Sequence, residues 1–455
     1  MGRTPPAGAR EGSLEAPTRH ALAWQSPAFN DEALLERELE RVFDICHGCR
    51  RCFSLCASFP TLFEAVDATA AGEVAEVPKQ AFWKVVDNCY LCDLCYMTKC
   101  PYVPPHEWNV DFPQLMLRAK AVRHQRDGAS FRDRLLSSTD AVGRLAGIPV
   151  VAGIVNGLNR HAGARKLLAQ TLGIDAAARL PEFHSDSFRA RHARATPAAL
   201  TPQATSATRG QVVLFTTCYC NRNEPDIAAD LVTVFEHNGI PVRLSKDERC
   251  CGMPKLELGD LKAVARLKDS NVPALAELVA AGYDLVAPVP SCVLMFKQQL
   301  PLMFPEDAAV RAVAARMFDP FEYLLLRHRD GQLRTDFKRG LGRVAYQVPC
   351  HLRVQNIGLK TKELLALVPD TTLEVIERCS GHDGSYAVKR EFHAAAMKIG
   401  RPVSRRVAEL APDYHTSDCP MAGQQIAAGL EAPQPPTHPL TLLRIAYGLP
   451  AAAGA

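Results

Sequence analysis

Eight of the sixteen cysteines in this 455-residue sequence fall in two short motifs near its N-terminus. The motifs read Cys46-x2-Cys49-x2-Cys52-x3-Cys56 and Cys89-x2-Cys92-x2-Cys95-x4-Cys100-Pro101. Three thiolates at this spacing can wrap around one iron–sulfur cube from a single loop, and the fourth thiolate comes from farther along the chain. The sequence therefore predicts two [4Fe–4S] clusters, and a protein that moves electrons through them.

The fourth cysteine of each motif decides which residues share a cluster. In two-cluster ferredoxins this cysteine binds the cluster of the other motif. The predicted sets are therefore Cys46, Cys49, Cys52 and Cys100 for one cluster, and Cys89, Cys92, Cys95 and Cys56 for the other. Two details depart from the usual pattern: Ala57 stands where proline usually follows Cys56, and four residues stand before Cys100 where three are usual. Neither departure removes a ligand.

Zinc is the alternative partner for grouped cysteines. Zinc sites usually pair two Cys-x-x-Cys knuckles across a spacer of about a dozen residues or more. Here each motif places four cysteines within about a dozen residues, and this arrangement favours iron–sulfur clusters. The 32 residues between the motifs, 57–88, include a helical pattern over 79–87. The expected fold of this region is therefore an α-helical ferredoxin-type domain.

The cysteines beyond residue 211 occur in two copies of one pattern. Cys218 corresponds to Cys350, Cys250-Cys251-Gly252 to Cys379-Ser380-Gly381, and Cys292 to Cys419, at offsets of 132, 129 and 127 residues. In the first copy, strands expected at 211–217 and 284–289 alternate with a helix at 226–237. Such alternation is typical of parallel α/β units. We therefore predict two α/β cysteine-rich repeats, over 211–340 and 341–455.

The first copy offers enough thiolates for a third cluster or another redox site: Cys218, Cys250, Cys251 and Cys292. Cys218 and Cys292 follow predicted strands, so they are expected at the carboxyl edge of a sheet, where α/β folds form their ligand sites. The glycine after the paired cysteines lets the backbone turn closely around a ligand. The alternative is that these cysteines are small buried residues. Cys220 has no counterpart in the second copy and is interpreted as structural.

The second copy is the weaker candidate site. It retains Cys350, Cys379 and Cys419, but Ser380 replaces one cysteine, and a serine oxygen is a harder and poorer ligand for a soft cluster. An open iron position could bind a substrate, yet we favour a structural role for this copy. Three histidines also occur here, and each alone is more often a satisfied polar residue than a ligand: His351, His382 and His415.

The elements that must position these cysteines divide the chain into further segments. Residues 1–29 are predicted to form a disordered tail, and 30–184 a helical ferredoxin domain with a helical extension. Asn30 is the expected N-cap of the first long helix. Residues 185–210 are rich in Pro, Ala and Thr and are predicted to be a linker.

Composition and patterning exclude several classes of protein. A net charge of +4 is small for this length and argues against nucleic-acid binding. The N-terminus lacks the apolar stretch of a secretory signal, and no run of 18 or more apolar residues predicts a transmembrane span. The longest weakly polar run, 145–158, is expected to be a buried helix or loop rather than a membrane contact. We expect a cytoplasmic protein, with peripheral attachment to the cytoplasmic membrane face as an alternative.

Three further motifs resemble a known family: CCGMP (250–254), PCHLR (349–353) and CSGHDGSYAVKREF (379–392). Together with the two ferredoxin motifs, they make residues 31–455 similar to the C subunit of anaerobic glycerol-3-phosphate dehydrogenase and to the fused C and B subunits of heterodisulfide reductase. The nearest resemblance is to iron–sulfur oxidoreductases found beside rubrerythrin. It implies two CCG-type domains and a redox partner, either a flavoprotein dehydrogenase or a rubrerythrin-type protein.

The resemblance also separates two functions. Complete CCG domains of the heterodisulfide reductase family end in Cys-x-x-Cys, whereas here the endings are Cys292-Val-Leu-Met295 and Cys419-Pro-Met-Ala422. Because these endings lack the second cysteine, a self-contained reductase that acts on a disulfide or thiol at the CCG site is only the alternative function. The favoured function is an electron-transfer subunit between a flavoprotein or other redox partner and a quinone or other acceptor. The sequence has no G-x-G-x-x-G loop after a strand, so no flavin or nicotinamide of its own is expected.

A third interpretation treats the C-terminal half as a docking module only. No residue is assigned a catalytic role from the sequence.

Overall fold

The computed structural model describes residues 17–98, 100–194, 199–432 and 434–451. It divides the chain into two units, Met1–Gly128 and Ala129–Ala455, and each is described by itself. The helical extension expected to belong to the ferredoxin domain up to residue 184 lies instead in the second unit. The physical reason is packing, because its side chains contact the cysteine-rich region, as described below.

The first unit is helical, and no strand occurs among its described residues. Its elements are a 3-10 turn at Val74–Glu76 and the helices α1 (Pro27–Asn30), α2 (Glu32–Cys49), α3 (Ser58–Asp67), α4 (Lys79–Asn88), α5 (Leu94–Thr98) and α6 (Phe112–Asp127). Aromatic rings form the centre of its core, with Phe43 and Phe82 at 5.0 Å and Phe59 and Phe112 at 4.7 Å between ring centroids. Both cysteine motifs pack against this core.

The N-cap of α2 is Asp31, because its carboxylate oxygen Oδ1 accepts a hydrogen bond from the Leu34 N–H at 2.8 Å. The expectation for Asn30 was wrong by one residue, since Asn30 ends the short helix α1. Either side chain can cap a helix, and the turn that separates α1 from α2 selects the aspartate.

Residues 17–29, predicted to be part of a disordered tail, pack onto the first unit. The Arg19 guanidinium pairs with Asp93 at 2.7 Å and with Asp111 at 2.8 Å, and Leu22 is buried. The composition of this segment is typical of a tail, but one arginine with two carboxylate partners, of which Asp93 is buried, holds it in place. The rest of the predicted tail, 1–16, lies outside the described residues.

The second unit begins with a helical region that contains α7 (Phe131–Ser137), α8 (Thr139–Ala146), α9 (Pro149–Arg160) and α10 (Ala162–Thr171). Contrary to the expectation that the run 145–158 is buried, several of its large apolar side chains are exposed: Leu145, Ile148, Val150, Ile154 and Leu158. Only α8 and α9 taken together, with a bend of 105° between them, are long and apolar enough to cross a membrane; no single helix in the described part of the chain passes that test.

The segment 185–210, predicted to be a linker, is packed in its first part, whereas residues 201–204 are exposed. It forms α11 (Phe188–Arg194), and Arg189 in this helix pairs with the buried Glu248 at 2.9 Å. Residues 195–198 lie outside the described part. The segment has the composition of a linker, but the ion pair between Arg189 and the distant Glu248 holds its first part in place.

Two parallel sheets follow, and they share one strand order. The first consists of β1 (Val212–Leu214), β2 (Val242–Leu244), β3 (Asp284–Val286) and β4 (Met317–Phe318), in the order β2-β1-β3-β4. The second consists of β5 (Gly342–Gln347), β6 (Thr371–Ile376) and β7 (Tyr414–Ser417), in the order β6-β5-β7. In both sheets the first strand is central, with Val212 opposite Val242 and Val344 opposite Leu373. The predicted repeat of a parallel α/β unit is therefore present.

Helices connect these strands. The first repeat contains a π-helical turn at Met295–Gln299 and the helices α12 (Cys218–Arg222), α13 (Pro225–His237), α14 (Met253–Leu258), α15 (Leu261–Ala280), α16 (Pro290–Leu294), α17 (Leu300–Met303), α18 (Ala308–Arg316) and α19 (Pro320–Arg329). The second contains α20 (Cys350–Arg353), α21 (Lys360–Leu365), α22 (Arg390–Leu410), α23 (Pro420–Ala428) and α24 (Pro439–Ala446).

The last helix joins the two repeats. Although α24 follows the second sheet in sequence, it packs on α13 of the first repeat. There Arg444 pairs with the buried Asp230 at 2.6 Å, and the Thr441 hydroxyl donates a hydrogen bond to the same carboxylate at 2.5 Å. The repeats are therefore parts of one packed unit.

Candidate functional site

The first cysteine motif is presented by the end of a helix. Cys46 and Cys49 lie in the last turn of α2, and Arg50 ends this helix in the left-handed conformation, with a φ of 53°. A left-handed residue reverses the chain direction at a helix end. Cys52 and Cys56 follow in the resulting turn.

The structure brings Cys100 to the first three cysteines of this motif. Burial raises the pKa of the Cys46 thiol, and the neighbouring thiolates Cys100, Cys52 and Cys49 raise it further. A like charge acts in this way only at short range. Cys46, Cys49, Cys52 and Cys100 therefore form one group, which is the first set predicted from the sequence.

The second motif forms a matching group. Burial raises the pKa of Cys95, and the thiolates Cys92, Cys89, Cys52 and Cys56 add to the effect. Cys56 thus lies with the second motif, in the crossed arrangement, while Cys52 adjoins both groups. These are the two sets predicted from the sequence, and their role as cluster ligands stays a prediction.

Charged residues stabilise the loop of the second motif. Leu91 and Asp93 lie between its cysteines, with φ angles of 55° and 59° in the left-handed region that non-glycine residues seldom adopt. The Arg19 guanidinium donates hydrogen bonds to both carboxylate oxygens of Asp93. The ammonium group of Lys120 donates to the Cys89 carbonyl oxygen. These contacts were not predicted, because Arg19 lies in the supposed tail.

The first cysteine-rich repeat also brings its four thiols together. Cys218, Cys250-Cys251 and Cys292 follow the carboxyl ends of β1, β2 and β3. The Cys250 thiol lies beside the thiols of Cys218 and Cys251, and the Cys251 thiol lies beside that of Cys292, because each of these neighbours shifts the pKa of the other. The bonds received from its two neighbours lower the pKa of Cys250, whereas hydrogen bonding to Cys250 raises the pKa of Cys218. Four soft thiol donors in one buried group fit an iron–sulfur cluster.

A buried carboxylate ties two of the loops in this site together. The Glu248 carboxylate accepts hydrogen bonds from the backbone N–H groups of Thr216 at 2.9 Å and Thr217 at 2.7 Å. Thr217 itself has a φ of 68°, a left-handed conformation immediately before Cys218. Because Glu248 lies two residues before Cys250, its carboxylate holds the loop that carries Cys250 against the loop that carries Cys218.

The helical region of the second unit covers this site. Asp140 in the first turn of α8 accepts a hydrogen bond from the Cys250 N–H at 2.7 Å. The Lys255 ammonium, just after the paired cysteines, donates to the hydroxyls of Ser137 at 3.0 Å and Ser138 at 3.2 Å. Sequence reasoning missed these residues. Asp140, Ser137 and Ser138 lie more than a hundred positions before the paired cysteines, and no motif marks them.

The second repeat places Cys350, Cys379 and Cys419 after its three strands. Burial raises the pKa of Cys350, and the charges of Cys379 and Cys419 add to it, so these thiols also form a group. The hydroxyl oxygen of Ser380 accepts a hydrogen bond from the His382 N–H at 3.3 Å. The serine that replaces a cysteine is therefore engaged in a backbone turn.

The histidines of this repeat differ in their surroundings. Burial lowers the pKa of His382 to about 4, so this side chain is neutral at physiological pH, and the charge of His351 lies near enough to contribute to the shift. His415 is turned to the Gln434 carbonyl oxygen, 2.6 Å from its Nε2. The Nε2 atom of His415 is thus satisfied, whereas its buried Nδ1 atom has no partner among the described residues, so the expectation of a satisfied polar residue is met in part.

The two cysteine groups of the second unit adjoin one another. Burial raises the pKa of Cys419 to about 11, and the charge of Cys292 from the first repeat contributes to the shift. Cys220 is completely buried, and its thiol is influenced by both Cys292 and Cys419. Cys220 therefore lies beside both groups, and its backbone N–H donates a hydrogen bond to the Thr217 hydroxyl at 3.1 Å.

Within the described ranges, no group of three or more His, Cys, Asp or Glu side chains has the arrangement to hold a single metal ion. In a four-iron cube each cysteine binds its own iron, so the four sulfurs lie farther apart than around one zinc ion. The grouping of the thiols is compatible with such a cluster.

Comparison with known proteins matches both cysteine-rich repeats. The sequence pattern of the CCG cysteine-rich domain family matches residues 212–297 and 344–426. The C subunit of anaerobic glycerol-3-phosphate dehydrogenase from Escherichia coli K12 is 29% identical over 74% of this chain and 82% of its own length.

Two further relatives are similar over different lengths. The B subunit of the fumarate reductase (CoM/CoB) from Methanothermobacter marburgensis is 24% identical over 84% of this chain and 68% of its own length. Lactate utilization protein A from Bacillus pumilus is 29% identical over 39% of this chain and 75% of its own length.

Proposed function

Because the chain carries two CCG cysteine-rich domains and is similar to subunits of a dehydrogenase and a reductase, we propose that it is an iron–sulfur electron-transfer subunit. It relays electrons between a flavoprotein or another redox partner and a quinone or another acceptor. The observation that carries the proposal is the grouping of eight thiols into two adjoining sets in the first unit. Thiolates in groups of four are the ligands of clusters that supply one-electron transfer.

The first unit, in this proposal, is an α-helical ferredoxin-type domain with two [4Fe–4S] clusters. Cys46, Cys49, Cys52 and Cys100 hold one cluster, and Cys89, Cys92, Cys95 and Cys56 hold the other. The full chain, purified without oxygen, should then contain about four irons for each filled set. Cys92→Ser should lose about four of them. Cys220→Ala is the control, since Cys220 belongs to no set and alanine adds no polar group at this buried position, and the first unit should keep its iron. Zinc in place of iron would contradict the proposal.

The first CCG repeat holds a third cluster, because its four thiols form one group around Cys250 and Cys251 in which neighbouring thiols shift each other's pKa. The second repeat offers three thiols, and the Ser380 oxygen that would complete them accepts a backbone hydrogen bond, so its role is structural. Cys251→Ser should therefore remove iron and stop electron transfer while the first unit keeps its clusters. Cys379→Ser should cost stability more than iron. If Cys379→Ser strips iron and Cys251→Ser does not, the roles of the two repeats are reversed.

A disulfide reductase is the second candidate, and the electrostatic influence of Cys292 on Cys419 favours it, because two cysteine groups there adjoin across the repeats. The missing Cys-x-x-Cys endings oppose it. The test is to reduce the protein with an artificial dye and then to add a quinone or a disulfide. Reoxidation by the quinone alone supports the relay. Reoxidation by the disulfide alone replaces it with the reductase.

The protein acts at the cytoplasmic face of a membrane, attached at its periphery through the exposed apolar residues of α8 and α9. Leu145, Val150, Ile154 and Leu158 are each more than half exposed. Residues 141–172 contain Arg and Lys but no Asp or Glu. An apolar helix face beside basic residues binds anionic lipid surfaces, and the cytoplasmic leaflet carries such lipids.

Sedimentation with vesicles that contain an anionic lipid tests this attachment. Ile154→Asp should abolish co-sedimentation, whereas Leu34→Asp, at another exposed leucine in α2, should leave it unchanged. Extraction with high salt or carbonate should release the protein from cell membranes. A requirement for detergent would show instead that the chain is inserted.

A further inference from the structure

Helix α8 lies outside both CCG repeats, yet its first residues reach the thiols of the first repeat. The Thr139 hydroxyl lies close enough to both thiols to oppose the rise in the pKa of Cys218 and to add to the lowering of the pKa of Cys250. The neighbouring Asp140 accepts the hydrogen bond from the Cys250 N–H. Two consecutive residues of one helix turn therefore lie at Cys250, Thr139 beside its thiol and Asp140 at its backbone N–H.

The Thr139 hydroxyl is buried and has no hydrogen-bond partner of good geometry among the described residues. A buried hydroxyl without a partner is destabilising and uncommon, so it calls for an acceptor that forms when a group is bound. Sulfur atoms of a thiolate-ligated cluster are such acceptors, and the two nearest thiols belong to the proposed ligand set.

Packing fixes the position of this helix. Gly143 in α8 and Gly147, which caps the end of α8, lie directly against the side chain of Arg222, at the end of the helix that begins with Cys218. The Lys255 ammonium donates hydrogen bonds to the hydroxyls of Ser137 and Ser138, which directly precede α8. Because α8 is held on both sides of the site, Thr139 cannot withdraw without moving the cysteine loops.

The geometry points to Thr139 as a positioning residue that sets the reduction potential of the first CCG site, by donating its hydroxyl hydrogen bond to a sulfur there. This inference rests on the proposed third cluster. Hydrogen bonds to cluster sulfurs are one of the factors that set the potential. Reduction adds negative charge, so a donor at sulfur stabilises the reduced state more than the oxidised state.

The test compares Thr139→Val, which keeps the shape and removes the hydroxyl, with Thr139→Ser, which keeps the hydroxyl. Ser138→Ala is a matched control, because the Ser138 hydroxyl contacts Lys255 and not a cysteine. The spectroscopic signal that Cys251→Ser removes identifies the first site in the full-length protein. Redox titration of this signal then gives its midpoint potential in each variant.

Thr139→Val should make reduction harder by about tenfold in the equilibrium constant, or about 59 mV for one electron, at unchanged iron content. Thr139→Ser and Ser138→Ala should stay near the wild-type potential. A wild-type potential in Thr139→Val, with iron retained, overturns the role of Thr139 and leaves the cluster proposal standing. If Cys251→Ser removes neither iron nor a signal, the cluster proposal fails and this inference fails with it.

Discussion

At the scale of single residues, the cysteines depend on charged side chains that hold their loops. Asp93 lies between Cys92 and Cys95 in a left-handed conformation and receives two hydrogen bonds from Arg19. Arg19 also pairs with Asp111 at the N-terminus of α6. One guanidinium thus connects the loop of the second motif to a core helix.

Arg19→Ala should therefore destabilise the first unit by about 3 kcal/mol, because it leaves two mostly buried carboxylates without a partner. It should also loosen the loop of the second motif and lower the iron content. Urea unfolding and iron analysis of the anaerobic protein measure both effects. Arg126→Ala is the control, since the Arg126 side chain pairs with Glu32 and Asp127 at an exposed site, and its midpoint should not move. Equal midpoints for the two variants would contradict the prediction.

A second residue-scale prediction concerns pH. Burial raises the pKa of Asp319 to about 8, and the neighbouring charge of Asp418 contributes. In the unfolded chain an aspartate titrates near about 3.9. Between these values the folded state binds more protons than the unfolded state, so stability falls as pH rises from about 4 to about 8.

Asp319→Asn keeps the oxygen that caps α19 but removes this titration. The loss of stability between about pH 5 and about pH 8 should therefore be smaller in the variant than in the wild type. Urea midpoints at the two pH values measure the difference. Asp330→Asn is the control, because hydrogen bonding to Ser206 lowers the pKa of Asp330 and places its titration below this window. An unchanged slope in Asp319→Asn would refute the assignment.

At the scale of elements, the long helix α22 supports the cysteine turn of the second repeat through direct backbone contact. A methyl group on Gly400 would overlap the Ser380 carbonyl oxygen, and one on Gly381 would overlap the Ala396 carbonyl oxygen. The helix and the Cys379-Ser380-Gly381 turn can approach so closely only because both positions lack side chains.

Gly400→Ala should therefore destabilise the protein by about 1–3 kcal/mol, since the helix must shift away from the turn. Gly157→Ala is the matched control in α9, where open space surrounds the added methyl group. There the better helix propensity of alanine should stabilise the protein by up to about 1 kcal/mol. Thermal unfolding compares the two variants. The prediction fails if Gly400→Ala is as stable as Gly157→Ala.

At the scale of the whole molecule, the two CCG repeats are coupled by α24, which belongs to the second repeat in sequence and packs on the first. Arg444→Ala leaves the buried Asp230 without its cation. Amide hydrogen exchange should then accelerate in β1 and in β5 alike, while α2 to α6 of the first unit keep their protection. Arg405→Ala, at an exposed pair with Glu409, should change neither repeat. Faster exchange in the second repeat alone would show that the repeats unfold independently.

The cysteine motifs and the repeat could be read from the sequence because their signals are local. Spacings of two or three residues describe one loop, and apolar runs such as Val212–Leu214 describe one strand. The offset of about 130 residues between cysteines revealed two copies of a unit, whose shared strand order the structure shows. The sequence by itself therefore determined the types of element and the candidate ligands.

Tertiary structure alone decided which distant residues serve these sites. Arg19 reaches Asp93 from a segment with the composition of a tail, and Asp140 reaches Cys250 from a helix 110 residues away. The exposed face of α9 has the apolar pattern of a buried helix, and only packing shows that nothing in its own unit covers Val150 or Ile154. Such contacts leave no periodic signal, because each depends on how separate elements pack, and the energy of packing is shared among residues far apart in the chain.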